Sequence, residues 1–464
     1  MKHPREYRGL EVVILGLARS GVAAAKLFHQ NGAVVTVNDK KERNICPEAD
    51  ELEALGISVV CGYHPESIVH EGVALVVKNP GIPYKVEPIR KAEELGIEVV
   101  TEVEVAYQFC EAPIIGITGS NGKTTTTTLI GLMLNAAGLK PVVAGNIGRA
   151  LTEAAPEVTE ENWMVVELSS FQLKGTTAFR PRIACLLNLY ETHLDYHGTM
   201  DDYIASKVKL FANQTEDDIA ILNWDDAVCR SVIPSLRAKV LPFSMNEVLP
   251  HGVYLDRSTN TLVYADGQGG IHAILPAQEM GIPGSFNIEN ALAASAAAIT
   301  AGVKLQTIAD VLRSFQGVEH RLEFVRKLNG ISFYNNSKAT NPAASIKSIE
   351  AFEQNIVLIA GGLDRGSDYM ELLPIFRERI KGVVTLGQTK EKINRIAELA
   401  GISLVETVDT AKDAADAVSQ AVELAYRMSD PGDIVLLSPA CASWDMFPSY
   451  EDRGRMFKES VHTL

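Results

Sequence analysis

The chain of 464 residues is short of several features that would place it in a class at once. Cysteine is scarce: Cys46, Cys61, Cys110, Cys185, Cys229 and Cys441 are the only six, and none forms a C-x-x-C pair. Most lie in apolar runs, which excludes a disulfide scaffold and a zinc-ribbon spacing and leaves buried free thiols of a reducing compartment. Positive charge is also short, with 43 Lys and Arg against 58 Asp and Glu and a net charge of −15. That balance argues against broad binding to nucleic acid or to an anionic membrane, while a local basic pocket for a phosphorylated substrate stays open. No stretch reaches the ~18 uninterrupted apolar residues of a membrane span. The opening "MKHPREYRGLEVVILGL" has no long apolar core followed by a small-residue cleavage site. A soluble cytoplasmic protein without membrane insertion is expected, and nothing in the sequence calls for an obligate oligomer, so a monomer is the default.

What is present is a large apolar fraction, 46% of residues, enough for several cores. At ~100–200 residues per domain, the length suggests three. The dominant rhythm is a short β-branched run, a glycine turn and then a helical pattern, which predicts parallel α/β layers. "EVVILGLA" (11–18), "AVVTVND" (33–39) and "ALVVKNPG" (74–81) form one set. "PIIGITG" (113–119) opens a second with "PVVAGN", "WMVVELSS", "IACLLNL" and "DIAILNWDD"; "GISFYNNS", "NIVLIAGG", "GVVTLG" and "DIVLLSPA" make a third. Residues 251–275 alternate with short polar turns and predict a small antiparallel insert, and "NIENALAASAAAITAGV" (287–303) predicts an alanine-rich helix. Boundaries are expected near 110 and near 317, where a helix should end at Gly317. The segments are thus 1–110, 111–317 and 318–464.

The stretch "PIIGITGSNGKTTTTTL" (113–129) misses the strict phosphate-loop pattern, because its glycines fall at 116, 119 and 122. The physics still holds. A strand enters, glycines turn the backbone, and Lys123-Thr124 opens a helix whose N–H groups can surround phosphate oxygens. Gly119, Ser120, Asn121, Gly122 and Thr125 complete the loop. Five consecutive threonines are poor helix formers, so a purely structural turn would not explain them. "ILGLARSG" (14–21) with Asp39 at the end of the next strand has the placement of a dinucleotide turn, but without G-x-G-x-x-G it reads equally as a steric glycine turn. Glu167 ends an apolar strand, His193 lies just past another, and Lys207 falls on a predicted helix. A carboxylate with phosphates suits Mg²⁺; a lone His or Lys in such a place is more often an ordinary surface or core residue, and neither spacing forces a metal site.

"GITGSNGKTTT", "GNIG" (145–148), "ELSSFQL" (167–173), "NLYETHLDYHG" (188–198), "FNIENALAA" (286–294), "EHRLE" (319–323), "NNSKATNP" (335–342) and "LLSPACASWDMF" (436–447) occur in one order. Together they resemble the Mur ligases of peptidoglycan synthesis over nearly the whole chain. The resemblance implies an α/β protein of three domains: a Rossmann-like N-terminal domain for a UDP end, a central ATPase domain of P-loop type, and a C-terminal Rossmann-like domain. It implies ATP and Mg²⁺ as cofactors, and UDP-N-acetylmuramoyl-L-alanine and D-glutamate as substrates joined through an acyl phosphate. By the same resemblance, Lys123 would hold the γ-phosphate, Thr124 and Glu167 one metal ion, and His193 and Lys207 a second, with Lys207 carbamylated. Asn146 and Ser169 would touch the muramoyl portion, and Arg19, Ser20, Lys40, Lys41, Asn79 and Gly81 the UDP group. Asn287 and Asn290 would face adenine; Arg321 and Lys338 would reach ATP phosphates on domain closure; Thr340, Arg365, Ser443 and Tyr450 would meet D-glutamate. Two positions depart from the family pattern. Asn336 stands where an aspartate usually contacts the ribose, and Arg365 where many members carry lysine. Rival readings are a sister ligase with another amino acid, a nucleotide-switched ATPase, and an oxidoreductase resting on residues 14–39 alone.

Overall fold

The computed structural model describes residues 1–353 and 355–464. Among the described residues, twenty strands form three sheets. The first holds β1 (Glu11–Leu15), β2 (Val34–Asp39), β3 (Ser58–Cys61), β4 (Val73–Lys78) and β5 (Val99–Thr101) in the order β3-β2-β1-β4-β5, parallel throughout. The second runs from β6 (Ile114–Thr118), β7 (Pro141–Gly145), β8 (Trp163–Glu167) and β9 (Ile183–Leu186) through β10 (Ile219–Asn223) and β11 (Lys239–Ser244) to β12 (His251–Asp256), β13 (Thr261–Asp266) and β14 (Ile271–Pro276). Its order is β14-β13-β12-β11-β10-β9-β6-β8-β7. The third contains β15 (Glu323–Leu328), β16 (Ile331–Asn335), β17 (Ile356–Ala360), β18 (Ile380–Thr385), β19 (Leu404–Thr407) and β20 (Ile434–Leu437), ordered β15-β16-β20-β17-β18-β19.

The β-branched runs form strands because a parallel sheet covered by helices buries both faces. Every residue of β6 and of β17 is buried. Register places the site: Ile117 pairs with Glu167, and Thr118 with Leu186, so the phosphate loop leaves β6 at the level where β8 ends in Glu167.

Five strands have no counterpart in the sequence reading: β3, β5, β11, β15 and β19. All but β11 are sheet edges; β11 lies between β10 and β12, is buried along only part of its length and carries Pro242. An edge strand keeps part of its surface in water, which dilutes the apolar run that marks a central strand. The predicted antiparallel strands are present, and they are joined to the central sheet. β12, β13 and β14 do pair antiparallel with one another, but β12 joins β11 in parallel and extends the central sheet. The helix expected to end at Gly317 is Leu305–Ser314 and stops earlier.

The chain divides into two compact units, Met1–Glu279 with Ile288–Leu312, and Met280–Asn287 with Arg313–Leu464. The first two sheets therefore share one unit, and the segment after β5 shows why. Thr101 donates its hydroxyl to the Gln172 carbonyl at 2.7 Å and its N–H to Gly175. Glu102 accepts the N–H and the hydroxyl of Thr152, and Glu104 accepts the N–H groups of Thr177, Ala178 and Phe179 at 2.9–3.1 Å. Burial pushes the Glu102 carboxyl up to about 7. Removing either carboxyl would strand buried donors, a cost of about 1–3 kcal/mol each.

Candidate active site

The loop after β6 is held by its neighbours. Ser120 N–H donates to the Asn188 carbonyl, Asn121 N–H to Asn188 Oδ1 at 2.8 Å, and the Ser120 hydroxyl meets Tyr203 Oη at 2.8 Å. Gly122 sits at φ 83°, and a Cβ there would lie 2.2 Å from Asn290 Oδ1, so both its conformation and its contact demand glycine. The helix Lys123–Ala136 begins at once, with Lys123 Nζ donating to Gly119 O at 2.9 Å and Ser120 O at 3.0 Å. Thr124 is buried and Thr125 half-buried on its first turn. Asn290 is buried and packs behind the loop, against Gly122 and Thr126. Asn287, near the start of the same helix, donates to the Pro283 carbonyl.

Lys207, in the helix Met200–Val208, is only 2% exposed. Its Nζ donates to Gly119 O at 2.8 Å and to Thr118 Oγ1 at 3.2 Å, so it shares one carbonyl with Lys123. Burial, then the nearby Lys123 ammonium, lowers it to about 6, with Glu167 opposing. Two amines thus converge where the loop would receive phosphate. Glu167 is 1% exposed, and its Oε1 accepts Asn146 Nδ2 at 2.7 Å. Its Oε2 is buried without a hydrogen-bond partner. An orphaned carboxylate oxygen of that kind is costly unless a cation satisfies it, and oxygen is the ligand Mg²⁺ prefers. The residues present therefore fit the ion. Among the described residues no group of three His, Cys, Asp or Glu side chains gathers as a metal site, so the remaining ligands would have to come from other oxygens.

Beside this lies an open cleft of about 490 Å³, lined by Arg19, Ser20, Gly81, Asn146, Ser169 and Phe171 among others. Five residues expected to meet the UDP-substrate are thus gathered around one space. Asn79 supports it from behind, accepting the Ser20 hydroxyl at 2.6 Å. Arg19 donates to the Gly148 carbonyl across the cleft wall. Asp39 is committed to the N–H groups of Leu17 and Lys41, so it shapes the turn, while Lys40 and Lys41 are exposed and do not line the cleft. His193 is exposed at φ 57°, its ring edge-on to Phe171 with centroids 5.0 Å apart. Glu102, which the sequence reading passed over, also lines the cleft.

In the C-terminal unit, Lys338 Nζ donates to Tyr450 Oη at 2.9 Å, and Thr340 follows in the same loop. Arg321 lies between two non-glycine residues of left-handed backbone, His320 at φ 62° and Leu322 at φ 49°, a strain of about 1–2 kcal/mol each. Asn336 accepts the Leu322 N–H at 3.1 Å through Oδ1 and donates through Nδ2 to Ser438 Oγ at 3.4 Å. Its amide thus uses one acceptor and one donor to bridge the two segments. Ser443 is buried. The residue that sequence reasoning missed is Arg453, 1% exposed. Its guanidinium donates to Ser337 Oγ, the Ser337 carbonyl and the Cys441 carbonyl, stapling the loop of Lys338 to the loop of Ser443. One arginine among the several charged residues of the helix Tyr450–Thr463 gives no signal of that.

A phosphate loop at the end of a parallel strand, a carboxylate with one orphaned oxygen and a buried lysine of lowered basicity define a nucleotide-using α/β enzyme. Family models match in three places: the Mur ligase MurD-like N-terminal domain over residues 10–101, the Mur ligase middle domain over 117–298, and the Mur ligase glutamate ligase domain over 320–441. A relative from Geobacillus sp. (strain WCH70), UDP-N-acetylmuramoylalanine--D-glutamate ligase, is 48% identical over 100% of both chains. The protein of that name from Bacillus subtilis (strain 168) is 46% identical over 97% of each. Among solved structures, MurF from Acinetobacter baumannii shares the fold with a TM-score of 0.59 at 19% identity, covering 92% of this chain and 91% of that one. The chain belongs to the Mur ligase family.

Proposed function

We propose that the protein joins D-glutamate to UDP-N-acetylmuramoyl-L-alanine at the expense of ATP, in the making of peptidoglycan precursors. The observation that carries the chemistry is the convergence of Lys123, Lys207 and Glu167 at the mouth of the phosphate loop. The choice of substrates rests on full-length similarity to relatives bearing that name.

A carboxylate is a poor electrophile, and phosphorylation gives it a leaving group. The γ-phosphoryl group passes from ATP to the alanyl carboxylate, leaving ADP and an acyl phosphate. The D-glutamate amine, having lost a proton, attacks the carbonyl carbon; the C–O bond to phosphate breaks, and an amide and phosphate result. Such phosphoryl transfer is mostly positioning and charge neutralisation. Lys123 would neutralise the γ-phosphate. Thr124 and Glu167 would hold Mg²⁺, which supplies further neutralisation of phosphate charge when bound. The lowered basicity of Lys207 is what carbamylation requires, since only a neutral amine adds to carbon dioxide; the carbamate would give His193 an oxygen-bearing partner for a second ion. The UDP-substrate would occupy the cleft of Arg19, Ser20, Gly81, Asn146 and Ser169. Residues 1–110 would serve the UDP end, 111–317 the ATP, and 318–464 the amino acid.

No described helix is long and apolar enough to cross a membrane. We place the protein in the cytoplasm, as a monomer. Phosphate release settles the reading: it should require both UDP-muramoyl-alanine and D-glutamate, with L-glutamate, L-alanine and lysine inactive. Release independent of both substrates would instead identify a nucleotide-switched ATPase.

A further inference from the structure

The loops after β17 and β20 are zipped together at the C-terminal edge of the third sheet. Gly361 N–H donates to the Pro439 carbonyl and Leu363 N–H to the Ala442 carbonyl, each at 2.9 Å. A Cβ on Gly362 would lie 2.4 Å from the Ala442 oxygen, so the two backbones are as close as they can come. Thr389 ties the base, taking the Gly362 N–H at 3.1 Å and meeting Cys441 Sγ at 3.2 Å. This platform carries Arg365 on one loop and Trp444, the residue after Ser443, on the other. The Arg365 guanidinium lies over the Trp444 ring, its carbon 5.1 Å from the ring centroid.

Trp444 is 66% exposed, the most exposed of the large apolar side chains described in this unit. A tryptophan left in water on a rigid loop is a cost without a folding return, but its face is a seat for a guanidinium. Stacking occupies the guanidinium face and leaves the N–H edge free for a bidentate carboxylate. The neighbouring acid does not compete: Asp364 is paired to Lys392 at 2.8 Å, and among the described residues Arg365 makes no ion pair.

We propose that Trp444 is a positioning residue that holds Arg365 with its donor edge outward, so that the pair receives a carboxylate of the incoming acidic amino acid. The proposal rests on the D-glutamate reading above. It explains why arginine stands at 365: a planar cation profits from a flat seat in a way that a compact ammonium does not.

The test is steady-state phosphate release by the full chain, with D-glutamate, ATP and UDP-muramoyl-alanine each varied. Trp444→Leu should raise KM for D-glutamate about fivefold, the worth of a partly exposed cation–π contact. Its kcat should stay within about twofold, and the KM values of the other two substrates should not move. Trp444→Phe should recover most of the loss, because it restores an aromatic face. In an Arg365→Lys background, Trp444→Leu should add less than about twofold. An unchanged KM, an equal rise for all three substrates, or the same rise in both backgrounds would overturn the proposal. Wild-type protein with no D-glutamate-dependent release would overturn the substrate reading itself, and this inference with it.

Discussion

Lys207 and Lys78 are buried to nearly the same degree, at 2% and 0% exposure; Lys78 ends β4 just before the Asn79–Gly81 turn, and Lys207 reaches the phosphate loop from its helix. Burial lowers both, Lys207 to about 6 and Lys78 to about 7. Their surroundings make them different objects. Lys207 faces a second cation, Lys123, and the carboxylate Glu167, and it shares a carbonyl with the former. Lys78 also feels a second cation, Lys174, but among the described residues it has no carboxylate partner: its Nζ donates to the Pro80 carbonyl at 3.0 Å and to Tyr196 Oη at 3.2 Å, and lies 4.6 Å from the centre of the Tyr84 ring. Desolvation makes an amine less basic wherever it occurs. What decides its use is the neighbour that the neutral or modified form would serve. Beside Lys207 there is an orphaned carboxylate oxygen and a phosphate loop; beside Lys78 there are rings and a carbonyl, which suit a clamp on the Asn79–Gly81 turn.

The sharpest way to separate the two is to remove them. Lys207→Ala should lower kcat by about 10³-fold, in the range of losing a principal electrostatic group, with partial recovery on adding short-chain carboxylates. Full activity without rescue would break the contrast. Glu167→Gln should cost about 10²-fold, because the amide keeps the Asn146 contact in part but loses its charge toward a cation; titration of the variant with Mg²⁺ would show a raised half-saturation. Lys78→Met should raise KM for the UDP-substrate only about fivefold, equivalent to about 1 kcal/mol, and leave kcat nearly intact. The same variant has a pH signature. With the folded-state value at about 7 against the usual 10.5, the unfolded chain binds more protons between those limits, so wild-type stability rises with pH across that window. Thermal unfolding should therefore show Lys78→Met gaining most over wild type near pH 7, with the gap narrowing toward pH 10. Tyr196→Phe, which removes the hydroxyl that meets Lys78 Nζ and the Pro80 and Ile82 carbonyls but keeps the ring, should change the same KM by about twofold or less. An effect on the scale of Lys207→Ala at either clamp position would make Lys78 a participant in the chemistry.

The parts of the site that were readable in the linear chain are those whose partners are close in sequence. Strand, glycine turn, Lys123-Thr124 and helix start are contiguous, and the turn's departure from the common spacing changed nothing in the physics of N–H groups around phosphate. Most central strands were readable because they are buried on both faces; β3, β5, β15 and β19 were not, because edges are half wet, and β11 was not, because its run is only partly buried and broken by Pro242. Arg453 was invisible since its partners, Ser337 and Cys441, lie 116 and 12 residues away. That the Asn336 amide meets Leu322 and Ser438 was equally invisible, since neither partner is adjacent in sequence.

By itself, then, the sequence determined the α/β layering, the phosphate loop and the residue types available for chemistry, since periodicity and turn residues act over a few positions. Only the tertiary structure decided that Lys207 loses its basicity, that Glu167 keeps one oxygen unpaired, and that Arg365 is seated on Trp444. Those properties arise from desolvation and from pairing between distant segments, and neither exists until the chain has folded over the group concerned.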